Sequence, residues 1–214
     1  MDQAEQLRNI IKANSQMKPV ARVITVTSGK GGVGKSNTAI NLAIQFRKIG
    51  QRVIILHADF GLANIEIMFG TVPKHNLFDL IYQGKNIKDI ITWGPMEVGF
   101  ISGGSGIVGM SNLSRDHLSY IIRNLAELDS IADIIIVDTG AGISDAVLEF
   151  LVASDEIILL TTPEPTSITD SYSLLKELNS HNRFSKENSQ VKMVANRMER
   201  EDDGQILFNK LNAV

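Results

Sequence analysis

One octapeptide constrains this chain more than any other feature: Gly29-Lys30-Gly31-Gly32-Val33-Gly34-Lys35-Ser36. It follows the β-branched block Val23-Ile24-Thr25-Val26 and precedes a helical repeat in which Ala39, Leu42, Ala43 and Phe46 recur at spacings of three and four. A glycine-rich run between strand and helix can turn successive backbone N–H groups toward one point, where the new helix adds the positive end of its dipole. The run therefore predicts a phosphate-binding turn. Gly31, Gly32, Val33, Gly34 and Asn37 lie along its backbone, Lys35 reaches the β and γ phosphates, and the Ser36 hydroxyl ligates Mg²⁺. A turn that merely connects strand to helix does not need the closing Lys-Ser pair.

The rest of the chain repeats the same alternation. Val53-Ile54-Ile55-Leu56, Ile134-Ile135-Ile136-Val137, Ile157-Ile158-Leu159-Leu160 and Val191 to Ala195 read as strands buried on both faces, the mark of a parallel sheet. Leu118, Ile121, Ile122 and Leu125 mark a second helix with Ser114 as its N-cap, and Gly50 stops the first. The expected fold is α/β: a doubly wound, mostly parallel sheet with helices on both faces, its ligands at the carboxyl ends of the strands. Residues 70–113 break the rhythm. They are loop-rich, with short helices suggested by Phe78, Leu80, Ile81, Ile87, Ile90 and Ile91, then a strand at Val98 to Ile101. A separate N-terminal segment, 1–18, precedes the domain at 19–214. It places Leu7, Ile10 and Ile11 on one helical face, and a helix this short either packs on its own domain or orders on a partner.

Two acids and a histidine at or just past strand ends complete the chemical reading. Asp138 closes the block Ile134 to Val137, where a carboxylate would hold the Mg²⁺ shell, although an acid ending a strand is common. Thr139-Gly140-Ala141-Gly142 would bring backbone close to a γ-phosphate. Asp59 lies just past the second strand and either orients an attacking water or caps the short helix expected after it. His57 has neither the companions of a zinc site nor those of a nucleophile triad, and reads as structural.

Composition excludes several classes. The 214 residues suffice for one domain. Lys+Arg 21 against Asp+Glu 24, net charge −3, supplies no general attraction for nucleic acid. Zero cysteines exclude a disulfide scaffold, a cysteine nucleophile and a cysteine-ligated iron–sulfur cluster within the chain. No apolar run exceeds four residues, whereas a membrane span needs roughly 18 or more. The expected location is the cytoplasm, with attachment to the inner face of the membrane only in a longer form, because Gln205 to Val214 is too short and too weakly amphipathic for a membrane-targeting helix.

Lys30 is an addition that the basic phosphate-loop pattern does not require. With it the sequence resembles the MinD/ParA ATPases from about Val23 to Asn196, including Asp59-Phe60-Gly61-Leu62, Asp138 to Gly142, Thr162-Pro163-Glu164 and Asn196-Arg197. The resemblance implies an ATP/ADP and Mg²⁺ site, and an ATP-bound homodimer in which Lys30 crosses to the other subunit's nucleotide. It implies further contacts from Gly140 and Glu164, and adenine recognition at Asn196 and Arg197. Lys30, Lys35 and Asp59 would then be the catalytic groups. That family usually carries Asp at the position of His57. Asp2-Gln3-Ala4-Glu5-Gln6-Leu7-Arg8 is similar to the activation motif of the family's flagellar-number regulators, the FlhG (YlxH) branch. This implies that Gln3, Leu7 and Arg8 stimulate the FlhF GTPase and that flagellar basal-body components are further partners. Competing readings are a septum-site or DNA-partition ATPase of the same family, and a nucleotide-gated adaptor with negligible turnover.

Overall fold

The computed structural model describes residues 20–60, 64–104, 106–107, 109–185, 187 and 189–212. The segment 1–18, with Gln3, Leu7 and Arg8, lies outside the described residues. The strands are β1 (Arg22–Thr27), β2 (Val53–Ala58), β3 (Thr92–Trp93), β4 (Gly99–Ile101), β5 (Ile134–Thr139), β6 (Glu156–Thr161) and β7 (Gln190–Ala195). The α-helices are α1 (Lys35–Lys48), α2 (Asn64–Phe69), α3 (Leu77–Tyr82), α4 (Arg115–Leu125), α5 (Asp145–Val152), α6 (Pro165–Ser180) and α7 (Glu201–Leu211).

The seven strands form one sheet in the order β3-β4-β2-β5-β1-β6-β7. Every pairing is parallel except β3 against β4. Alternate residues of each central strand feed opposite layers. Ile54, Leu56, Ile135 and Val137 join Leu118, Ile121 and Phe150 on one face, while Val53, Ile55, Ile134 and Ile136 join Ala39, Ile40 and Ala43 on the other. Each large aliphatic side chain so buried contributes about 1.5–3 kcal/mol, which is why these blocks carry almost no polar residues.

The helix ends follow the sequence. Gly50, at φ 86°, closes α1 with its N–H on the Arg47 carbonyl while Gln51 N–H returns to Phe46, so the left-handed position satisfies two carbonyls. The Ser114 hydroxyl accepts from His117 N–H at 3.3 Å and starts α4. The loop-rich stretch contains α3 and a 3-10 turn at Ile87–Ile90, with Asn76 and Asp79 forming a capping box at the start of α3.

One strand departs from expectation. Val191 to Ala195 was expected to be buried on both faces, but β7 is an edge strand paired only with β6, and Val191 and Val194 are exposed. Its apolar residues have a partner on one side only, where α7 packs Leu207 and Leu211 inward. No helix among the described residues is long and apolar enough to cross a membrane.

Strand order positions the site. From β1 the chain crosses to β2 on one side, and from β5 it crosses to β6 on the other, so a crevice opens at the carboxyl ends of β1 and β5. The β1–β5 register sets Val26 beside Asp138.

Candidate nucleotide-binding site

The loop after β1 depends on two left-handed glycines, Gly32 at φ 75° and Gly34 at φ 106°, the latter immediately before α1. Gly34 also lacks room for a side chain, since a Cβ there would stand 2.7 Å from Asn196 Nδ2. Gly31 and Gly32 are exposed and Val33 is buried beneath them, so the turn's outer surface is open to a ligand while its inner surface is packed. Asn37 lies on the exposed side of α1, linked to Asn41.

Lys35 is only 8% exposed, and its ammonium donates to Ser28 Oγ at 3.0 Å. Burial lowers its pKa, and the charges of Asp138 and Asp59 push it back up. Asp138 is fully buried and its pKa is raised, chiefly by burial, with Ser36, His57 and Lys35 acting in the opposite direction. Neither carboxylate oxygen of Asp138 has a hydrogen-bond partner of normal geometry within the chain. A buried acid left without partners beside a serine hydroxyl suits Mg²⁺, a hard cation that takes one or two protein oxygens and fills its remaining positions with water and phosphate. Asp59 approaches the next turn, for a Cβ on Gly140 would meet its Oδ1 at 3.6 Å. Residues 61–63, between Asp59 and the helix at Asn64–Phe69, lie outside the described residues.

The crevice is laced together from both sides. Gly142 N–H donates to the Ser28 carbonyl at 3.0 Å, which joins the loop after β5 to the phosphate loop. Asn196 Nδ2 donates to the Val33 carbonyl at 2.8 Å and Arg197 Nη2 to the Gly32 carbonyl at 2.7 Å. Both residues therefore brace the phosphate loop, and Arg197 does so from a left-handed backbone at φ 57°. Lys30 turns away from Lys35: its ammonium donates to Glu164 and, at 3.0 Å, to Thr166 Oγ1 at the start of α6 in its own chain. Lys30 in turn lowers the pKa of Glu164, by hydrogen bond first and by charge second.

A family model described as an AAA domain matches residues 21–193. The antiactivator FleN of Pseudomonas aeruginosa is 38% identical over 204 residues, covering 95% of this chain and 71% of FleN. The flagellum site-determining protein YlxH of Helicobacter pylori is 34% identical, covering 98% of this chain and 71% of YlxH. Among solved structures, the septum site-determining protein MinD complexed with Mg-ADP from Pyrococcus horikoshii superimposes with a TM-score of 0.70 at 21% identity, covering 90% of this chain and 78% of that one. The chain belongs to the MinD/ParA family of phosphate-loop ATPases.

Within this MinD/ParA chain, two site features escaped the sequence reading. A Cβ on Gly29 would fall 2.2 Å from the Asp170 carbonyl carbon, so the first glycine of the motif admits the backbone of α6 rather than a ligand. The glycine itself was the available signal, but the neighbour that requires it is over a hundred residues away. The second feature is Glu66, buried beside His57 with Oε2 3.7 Å from Nδ1. Nothing in its helical context marks it. An open groove of about 510 Å³ between α6, β7 and α7, in which Lys192 is the one charged residue among the described lining residues, lies apart from the phosphate loop.

Proposed function

We propose that this chain is a Mg-ATP-dependent ATPase switch that dimerises on ATP and regulates flagellar number and placement. The observation that carries the reading is the convergence of Lys35, Ser36, Asp138 and Asp59 under one phosphate loop, with a second loop lysine, Lys30, on the exposed side. The flagellar part is supported by the relatives, one described as an antiactivator and one as flagellum site-determining.

Phosphoryl transfer to water requires mainly positioning and charge neutralisation. The backbone N–H groups of Gly31 to Ser36 and the Lys35 ammonium hold the β and γ phosphates in line. Ser36 and Asp138 would hold Mg²⁺, which when bound neutralises charge between those phosphates. Asp59, against Gly140, orients the attacking water without becoming a covalent partner. Gly140 brings backbone close to the γ-phosphate, and Lys30 and Glu164 make the contacts across the dimer. Asn196 and Arg197 recognise the adenine end while bracing the loop.

Residues 2–14 stimulate the FlhF GTPase through Gln3, Leu7 and Arg8, and the protein works in the cytoplasm with basal-body components as further partners. Phosphate release from FlhF and GTP, with and without a peptide of residues 2–14, tests this part. The expected result is stimulation by the peptide alone, weakened by Gln3→Ala or Arg8→Ala. An inert peptide contradicts it. His57, standing where the family usually has an acid, favours a second reading in which ATP binding gates an adaptor with negligible turnover. ATP turnover assayed with and without FlhF and lipid separates the two.

A further inference from the structure

Behind Asp138 the core contains a line of polar groups that phosphate binding alone does not use. The β2–β5 register sets His57 beside Asp138, and both are fully buried. Imidazole Nε2 lies 3.9 Å from Asp138 Oδ2, Nδ1 lies 3.7 Å from Glu66 Oε2, and neither ring nitrogen has a hydrogen-bond partner. Glu66 comes from α2, and its other oxygen accepts from the Ser102 hydroxyl just past β4. Ser102 Oγ also accepts from Gly104 N–H at 3.2 Å, which anchors the far end of the line.

Such a line is costly as packing. A polar group left unpartnered in a core loses its hydration without replacement, whereas the neighbouring β2 positions Val53 to Leu56 are filled by plain aliphatic side chains. Each gap is within about 1 Å of hydrogen-bond length, so a small advance of the carboxylate on that side closes it. An imidazole between a metal-ligand carboxylate and a second, anchored carboxylate is an arrangement by which outer groups orient a ligand oxygen.

We propose that His57, backed by Glu66 and Ser102, is a positioning residue for Asp138: it fixes how the carboxylate is presented to the divalent cation and couples that presentation to α2. This rests on the Mg-nucleotide reading of the site. A histidine at this position then does by hydrogen bonding what an additional carboxylate beside Asp138 and Asp59 would do by charge.

Mn²⁺ titrated into the full chain saturated with ADP, read by electron paramagnetic resonance, measures cation affinity without turnover, and ADP affinity in EDTA measures the metal-free site. Glu66→Gln, separated from Asp138 by His57, is expected to weaken Mn²⁺ about 10-fold or more, within the usual range of about 10–100-fold for outer partners of a metal ligand. Metal-free ADP affinity should stay within about two-fold of the parent, and the double variant His57→Gln/Glu66→Gln should be no worse than the worse single change, because both act through one line. Ser102→Ala, a smaller change, should weaken Mn²⁺ in the same direction and carries the test if Glu66→Gln does not fold. Unchanged Mn²⁺ affinity in these variants overturns the proposal, as does an equal loss of metal-free ADP affinity. If the parent chain itself holds no Mn²⁺ with ADP, the nucleotide-metal reading falls and the proposal with it, an outcome visible before any variant is made.

Discussion

Lys35 and Gly29 illustrate how differently two residues of one motif are constrained. Lys35 is buried between Ser28 and the acids Asp138 and Asp59, a cation whose charge is balanced before any phosphate arrives. Lys35→Ala leaves those acids facing phosphate uncompensated, and truncating one partner of a buried charge cluster typically costs about 2–5 kcal/mol. Calorimetry should therefore find ATP affinity lowered by that amount or lost, and an unchanged affinity would remove the phosphate-loop assignment. Gly29→Ala is a stability change instead. Its Cβ would meet the α6 backbone at 2.2 Å, a clash that no rotamer relieves, and overpacking of a rigid contact costs about 1–3 kcal/mol or more. A lowered thermal midpoint is the expected result, whereas Asn37→Ala on the exposed face should leave that midpoint near the parent's.

At the scale of elements, legibility followed burial. β1, β2 and β5 were readable because strands covered on both faces admit little besides apolar side chains, and α1 and α4 because their apolar faces keep helical spacing. β7 has the composition of a core strand and was misread, since position at a sheet edge is decided by topology and leaves no mark in five residues. Helix α6 is hard to read from the sequence because its first half, Pro165 to Ser173, is mostly polar: Ser167 is buried on Thr161 Oγ1 and Thr162 N–H, and Ser171 is buried with its hydroxyl unpartnered. Of the site, the phosphate loop and Asp138 could be read directly. The His57–Glu66 approach could not, because it depends on β2–β5 register and on where α2 falls. That register is itself clamped at its start: Asp133 accepts from Arg52 N–H at 2.7 Å and from the Arg52 guanidinium, which also donates to the Ser130 carbonyl. Arg52 holds the Asp133 carboxyl below its ordinary range, by side-chain hydrogen bond first. A folded pKa below the unfolded value of about 3.9 gives stability that is present above that pH and lost as pH falls through the folded value. The urea midpoint of Asp133→Asn should therefore lie below the parent's at pH 7, with the gap closing below about pH 4. A gap that stays constant into acid would assign the clamp to shape alone.

For the whole molecule, the proposed switch turns on where Lys30 goes. In the single chain its ammonium is held by Glu164 and Thr166 at the start of α6, on the exposed side of the crevice. Dimerisation on ATP would have to release it from that contact, an exposed ion pair of the kind worth about 0–1 kcal/mol, so the barrier to release is small compared with a charge-assisted contact to phosphate. Size-exclusion chromatography with light scattering tests this most directly, with the full chain in Mg-ADP, in Mg²⁺ with a non-hydrolysable ATP analogue, and with Lys30→Ala in both. The account predicts the mass of one chain with ADP, of two with the analogue, and of one for Lys30→Ala in either nucleotide while its nucleotide affinity is retained. The same mass for the parent chain in ADP and in the analogue would contradict it.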